Sequence, residues 1–179
     1  MAKTYPGIGP FTAGDILTAA TMTDIETNLD NQRVPPACIV YRSSNLTGYT
    51  SGAAISWNAE LIDTDGMFAA SSTTITIQTA GIYAITLKGQ TGGSAIVTEA
   101  QWNILVNGSV ATKDLTKDVA SNINTIVTTS FIGSFAASTT IGASVNISGG
   151  SAYEVTGSAN PMTDWQCTTL SVAWVGQAS

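Results

Sequence analysis

The stretch TAGIYAITLKG at residues 79–89 carries the clearest strand pattern in the sequence. A short polar run ends at Ala80-Gly81, and an apolar run then continues to Lys88. We expect Gly81 to let the chain turn tightly into the strand. We expect Tyr83 to bury its ring while its hydroxyl finds a polar partner. The same type of pattern recurs along most of the chain.

From residue 37 onward, apolar and polar residues alternate with a period of two, which is typical of half-buried strands. Counting residues 37–43 and 82–87, the alternation predicts eight strands, the others lying at 55–61, 75–77, 100–106, 127–133, 141–147 and 170–174. Asn107-Gly108 is a hairpin turn signal. Residues 113–121 are the exception, and they fit either one helical turn or a polar loop. The pattern predicts an all-β antiparallel sandwich.

Each predicted strand should present one face to the core. In the strand at 55–61, Ile55, Trp57, Ala59 and Leu61 are predicted to share that face. Similar faces are predicted for two later strands, one with Val127, Thr129, Phe131 and Gly133 and the other with Ile141, Ala143, Val145 and Ile147.

The first 36 residues differ from the rest. Glycines and prolines interrupt residues 1–17, and Thr18 is a good N-cap for a short helix ending near Asn31. Pro35-Pro36 prevents further helix. The sequence therefore divides into an arm and helix at 1–36 and a strand domain at 37–179. The apolar residues at the start and on one side of this helix are candidates for anchoring or oligomerisation: Leu17, Met22, Ile25 and Leu29.

Composition limits the possible partners. Apolar residues make up 44% of the chain and charged residues only 10%, against about 25% in ordinary soluble domains. Either hydroxyl and amide residues cover the surface, or much of it is buried against other chains. The net charge of −6 and the scattered basic residues argue against nucleic acid. No segment reaches the roughly 18 apolar residues of a membrane span, and the first residues do not resemble a signal peptide. We expect synthesis in a cytoplasm.

Catalytic chemistry has little support. The chain has no histidine, which removes the usual general base and the usual imidazole ligand. Glu60, Asp63 and Asp65 precede Gly66, but the glycine comes too early for a calcium-binding loop. This cluster is either a solvated turn or an oxygen-ligand site between chains, and the turn is the preferred interpretation. We predict no enzyme activity, no cofactor and no metal. The aromatic residues that could stack on a sugar are more readily explained as core or subunit contacts: Tyr41, Tyr49, Tyr153 and Trp165.

Residues 37–179 resemble the jelly-roll domains of the tumour necrosis factor and complement-globular-head superfamily. The residues that carry the resemblance are Ile55, Trp57, Asp65-Gly66, Ile75, Ile77, Gly81 and Tyr83, followed by NILVNG (103–108), SFIGSF (130–135) and LSVAWVG (170–176). The resemblance implies a homotrimer and antiparallel pairing of the first and last strands. Cys38 and Cys167 would then lie at opposite ends of these strands, roughly 20 Å apart, too far for a disulfide.

The head of the chain, FTAGDILTAATMTDIETNL (11–29), resembles a leader found on many tailed-bacteriophage virion proteins. The matching parts are GDILTAA (14–20) and NL (28–29). Together the two resemblances imply a non-enzymatic phage structural protein on the outer surface of the virion, a trimeric capsid decoration or head-fibre protein. Residues 1–36 would attach it to the capsid or to other virion proteins. The alternative is a tail-associated receptor-binding module that recognises a glycan on the host surface.

Overall fold

The structure, a computed structural model, describes residues 16–92, 99–117, 126–148, 154–161 and 167–177. One helix, α1, spans Ala19–Arg33. The strands are β1 (Ala37–Tyr41), β2 (Leu46–Thr47), β3 (Ala59–Asp63), β4 (Thr74–Thr76), β5 (Gly81–Gly92), β6 (Glu99–Val106), β7 (Ser109–Lys117), β8 (Ile126–Phe135), β9 (Thr140–Ser148), β10 (Glu154–Val155) and β11 (Thr169–Gly176).

The larger of two antiparallel sheets contains the first and last long strands of the chain. Its strands are ordered β3, β1, β11, β5 and β8, and β10 and then β2 continue it beside the end of β5. β1 pairs antiparallel with β11, from Ala37 opposite Ala173 to Tyr41 opposite Thr169. The predicted pairing of the first and last strands is confirmed, as is the jelly-roll sandwich.

The smaller sheet has the order β4, β9, β6 and β7. β6 and β7 form the hairpin predicted from Asn107-Gly108. Both turn residues have positive φ angles, 48° for Asn107 and 77° for Gly108, as the tight turn that matches strand twist requires.

The core lies between the two sheets and follows the predicted alternation. Ile141, Ala143 and Val145 are fully buried, and Val127 and Thr129 are nearly so. The largest fully buried side chains are those of Trp57, Trp102 and Tyr83.

At the start of β5, the structure confirms the expectation for Tyr83 and corrects the expectation for Gly81. The Tyr83 hydroxyl donates a hydrogen bond to the carbonyl oxygen of Thr79 at 2.6 Å, so the expectation of a buried ring with a satisfied hydroxyl is confirmed. Gly81 does not have a positive φ angle. A side chain at this position would instead overlap the Trp174 indole. Close packing, and not a tight turn, explains this glycine.

The segment at 55–61 does not form a single strand. The Ile55 amide donates to the Ala143 carbonyl beside the smaller sheet, whereas Ala59 pairs with Tyr41 in the larger sheet. The chain therefore crosses between sheets after Trp57. The pairing of β1 with β3 shifts at Leu61, which is 39% exposed. The prediction that Ala59 and Leu61 share the buried face of Ile55 and Trp57 is wrong.

The prediction for residues 113–117 is also wrong. They belong to β7, where Lys113 lies opposite Asn103 and Lys117 lies opposite Glu99. Hairpin pairing with β6 gives this polar segment its conformation, so it is neither a helical turn nor a loop. Residues 118–121 lie outside the described residues.

The helix begins as predicted and ends two residues later than predicted. The Thr18 hydroxyl oxygen accepts a hydrogen bond from the Thr21 amide at 3.2 Å, which confirms the N-cap. After Arg33, the chain is fastened to the larger sheet, because the Pro35 carbonyl accepts from the Thr64 hydroxyl and the Pro36 carbonyl accepts from the Trp174 amide. No helix in the described part of the chain is long and apolar enough to cross a membrane.

The two sheets are in close contact where Gly89 of β5 meets Trp102 of β6. A Cβ atom at Gly89 would overlap the six-membered ring of Trp102. We expect Gly89→Ala to lower the free energy of unfolding by about 1–3 kcal/mol, because a buried indole in a packed core cannot move aside without strain. Gly176→Ala is the matched control, since a Cβ atom there meets nothing within 4 Å. Urea denaturation measures both, and equal stability of the two variants would contradict this packing.

Candidate subunit interface

The outer face of the larger sheet is the side turned away from the core. Strand register places its side chains in three rows that cross the sheet. The rows are Ile62, Ile39, Ser171, Thr86 and Ser130; Ala37, Ala173, Ala84 and Ile132; and Ala59, Tyr41, Thr169, Lys88 and Thr128. None of these residues is buried. We call this set the outer face.

The polar groups of the outer face bond partly to one another. The hydroxyls of Thr86 and Ser130 are 3.2 Å apart across neighbouring strands. The Ser171 hydroxyl donates to the Thr86 carbonyl at 3.4 Å. Because these hydroxyls have partners within the chain, covering them with another protein surface costs less than covering free ones.

Charge and shape also suit this face to protein contact. Lys88 is the one charged residue in the three rows, and most of the others are Ala, Ser or Thr. Within the outer face, Ile132 is the most exposed of the large apolar side chains, at 68% exposure, and Ile62 at the opposite edge is 42% exposed. A nearly uncharged surface of mostly small side chains can pack against another chain while burying few unpaired charges.

The smaller sheet differs in its solvent-facing chemistry. The side-chain amides of Gln101 and Asn146 bond to each other on neighbouring strands at 3.3 Å. Val110 on β7 is 53% exposed and lies opposite the half-buried Leu105.

The helix carries the residues predicted for anchoring or oligomerisation. Met22 and Leu29 are 51% and 56% exposed, and Ile25 is half-buried. Leu17 precedes the helix and is half-exposed as well. These four apolar side chains are therefore available, at least in part, for contact with another molecule.

Two carboxylates of the acidic cluster, those of Asp63 and Asp65, accept hydrogen bonds within the chain. Asp63 accepts hydrogen bonds from the backbone amides of Asp65, Met67 and Phe68 at 3.0–3.2 Å. Asp65 is fully buried, and its carboxylate accepts from the Thr79 hydroxyl at 2.8 Å. The preferred interpretation as a solvated turn is therefore right about the turn but wrong about the exposure of Asp65. Within the described ranges, no group of three or more acidic, cysteine or histidine residues could hold a metal ion.

Two of the four aromatic residues considered for sugar stacking are described. Tyr49 is buried, and its hydroxyl accepts a hydrogen bond from the Val145 amide at 3.1 Å. Tyr41 lies half-buried on the outer face. Tyr153 and Trp165 lie outside the described residues.

A cavity of about 300 Å³ lies beside β3 and was not anticipated from the sequence. Its lining is Asn58, Ala59, Glu60, Phe68 and Ala70. These residues come from two segments of the chain, 58–60 and 68–70. No local sequence signal points to such a site.

Neither cysteine forms a disulfide, and both are fully buried. Extending the register of β1 and β11 places Cys167 five residue steps from Cys38, about 17 Å along the strands. Burial, together with the nearby carboxylates of Asp63 and Glu60, raises the pKa of the Cys38 thiol to about 12. The reactive thiolate is therefore scarce at this position in the folded protein.

Sequence comparisons do not assign this chain to a family. No protein-family model matches it, and no curated protein matches it.

Comparison with solved structures identifies the fold. The globular domain of zebrafish complement 1qA protein matches with a TM-score of 0.57 at 10% identity, covering 80% of this chain and 99% of that one. The Eiger TNF from S. frugiperda matches with a TM-score of 0.56 at 7% identity, covering 80% of this chain and 94% of that one. Murine APRIL gives 0.53 at 8% identity, covering 78% and 99%. The chain has the jelly-roll fold of these domains.

Burial of the two thiols predicts slow alkylation in the native state. At pH 8, iodoacetamide should modify neither Cys38 nor Cys167 during a time that modifies both in guanidinium chloride, as intact-mass spectrometry would show. The raised pKa of Cys38 also means that its contribution to stability is complete below pH 9 and is lost as the pH rises from 9 towards 12. Rapid native labelling of Cys38 at pH 8 would contradict this environment.

Proposed function

We propose that this chain is a non-enzymatic structural subunit of a tailed-phage particle, a homotrimer displayed on the outer surface as a capsid decoration or head-fibre protein. In this proposal the outer face of the larger sheet packs against neighbouring copies. Residues 1–36 attach the trimer to the capsid or to another virion protein.

The outer face is the observation that carries the proposal of self-association. Ile62, Ile39 and Ile132 lie in two rows that otherwise consist of Ala, Ser and Thr. The third row holds Lys88, the one charged residue of the outer face. A chain with only 10% charged residues has few groups to oppose burial of such a face. The jelly-roll fold adds support, since the resemblance seen in the sequence implies a trimer.

The virion context rests on the leader resemblance and on charge. The GDILTAA stretch at 14–20 leads into α1, and residues 1–15 lie outside the described residues. A net charge of −6 suits an outer surface, because DNA would repel an acidic protein on the inner side of a capsid. Exposed Leu17 and Ile16 are available for attachment, and Ile16 is 89% exposed.

A second candidate function is recognition of a host-surface glycan. The cavity beside β3 combines the Phe68 ring with the amide of Asn58 and the exposed carboxylate of Glu60. Sugars are bound by such combinations, because the ring packs against their C–H groups and polar side chains bond to their hydroxyls. This module would then be tail-associated.

The proposed packing predicts that charge on the outer face prevents trimer formation. We expect light scattering to give three times the chain mass of 18.4 kDa for the unmodified protein. Ile132→Glu should raise the dissociation constant of the trimer by on the order of 100-fold or more, because an unpaired buried carboxylate costs several kcal/mol.

Val110→Glu provides the control for this measurement. Val110 is an exposed apolar residue like Ile132 but lies on the smaller sheet. It should leave the trimer intact. A monomeric unmodified protein, or equal effects of the two substitutions, would refute the proposed interface.

The proposed location predicts where antibodies against this chain bind. Immunogold labelling of purified particles of the encoding phage should decorate the head surface. Leu17→Asp should reduce the amount of protein on particles without changing the trimer mass. Gold confined to the tail, together with glycan binding that Phe68→Ala abolishes, would support the second candidate instead.

A further inference from the structure

The apolar residues of α1 follow the spacing of a coiled coil. Met22, Ile25 and Leu29 are separated by three and then four residues. In heptad terms they occupy positions a, d and a, and Gln32 takes the next d position. A helix with this spacing presents one narrow apolar side that fits against another helix with the same pattern.

The helix needs such a partner for its stability. Isolated helices of up to about 12–15 residues are marginal in water, and α1, with 15 residues, lies at the upper end of this range. Met22 and Leu29 nevertheless remain about half-exposed in the single chain. Packing of this side would remove apolar surface from water and add the tertiary contact that short helices require.

We infer that α1 packs in register against the same helix of two other copies and forms a parallel three-helix bundle on the trimer axis. The inference rests on the trimer proposed above. A rotation axis makes equivalent helices point the same way, so a bundle at the axis must be parallel. Leucine at a with isoleucine at d favours three or four helices over two, and Leu29 and Ile25 occupy these positions.

Residues beside the apolar stripe are compatible with this arrangement. In a parallel bundle, a g residue of one helix meets the e residue five positions later in its neighbour. Thr21 would meet Glu26, and Asn28 would meet Arg33. Neither contact brings like charges together, so charge repulsion does not oppose the bundle.

The sandwich would compensate for the weak association of such short helices. α1 is only about two heptads long, and helices of this length do not associate firmly alone, but the trimeric sandwich would hold the three helices at a high effective concentration. Only residues 34–36 separate α1 from β1, and the carbonyls of Pro35 and Pro36 are bonded to Thr64 and Trp174. Each helix therefore starts from a fixed point on its own sandwich.

Leu17 is not part of the bundle. It falls at a c position, away from the a and d residues, and it precedes the first helical residue. The bundle would therefore bury Met22, Ile25 and Leu29, while Leu17 and Ile16 remain available for a virion partner.

Cysteine cross-linking in the full-length protein tests the bundle. Leu29→Cys places a thiol at an a position, and Thr23→Cys places one at an exposed b position as the control. The native cysteines are fully buried. At micromolar concentration, mild oxidation should convert Leu29→Cys into disulfide-linked dimers, up to two thirds of the chains, because the third thiol of each trimer has no partner. Thr23→Cys should form several-fold less.

Hydrogen exchange of the α1 amides gives a second measurement. In the trimer, these amides should exchange at least roughly ten-fold more slowly in the unmodified protein than in Leu29→Asn, while Thr23→Asn should match the unmodified protein. A trimer without preferential cross-linking at position 29, or without the slower exchange, overturns the bundle and leaves the proposed trimer standing. A monomer by light scattering overturns both.

Discussion

Pairing of β1 with β11 is the contact on which the larger sheet depends. Ala37–Tyr41 lies at the start of the strand domain, and its partner residues 169–173 lie near the end of that domain. β11 also pairs with β5, so it joins β1 and β3 on one side to β5 and β8 on the other. Without β11 the sheet would separate into β1 with β3 and a group of β2, β5, β8 and β10. Such a long-range contact forms only after a large loop has closed, so it makes folding slow and cooperative.

The same strands create both faces of this sheet. Cys38, Val40 and Leu170 point into the core, while their immediate neighbours form the rows of the outer face. A face assembled from five strands remote in sequence exists only in the folded chain. Its low charge is therefore a property of one continuous surface of the folded protein. The proposal of self-association rests on this surface.

The sequence predicted local alternation well and long-range geometry poorly. The inward faces of β8 and β9 follow directly from their period of two, and the hairpin at Asn107-Gly108 follows from turn chemistry. The polar residues of 113–117 have no apolar face, and only pairing with β6 makes them a strand. The Ala59 and Leu61 positions could not be placed because the crossing between sheets after Trp57 depends on partners elsewhere in the chain.

The site residues also divide into those with a local signal in the sequence and those that depend on distant parts of the chain. Met22, Ile25 and Leu29 could be proposed as site residues because helical spacing is local, whereas the cavity beside β3 joins residues from separate segments. Asp63 is intermediate, since an aspartate that accepts from amides two to five residues later is a turn signal visible in sequence. The burial of Asp65 depends on Thr79 and so required the structure.

The attachment of residues 35–37 to the sheet determines how the sandwich would bear mechanical load. Thr64 and Trp174 hold this segment at the point where β1 enters the sheet. A pull applied to the leader would run along the axis of β1 and load its hydrogen bonds to β3 and β11 simultaneously, in shear, rather than peeling them apart one by one. A subunit tethered in this way would resist tearing by viscous drag or by collision with a cell surface.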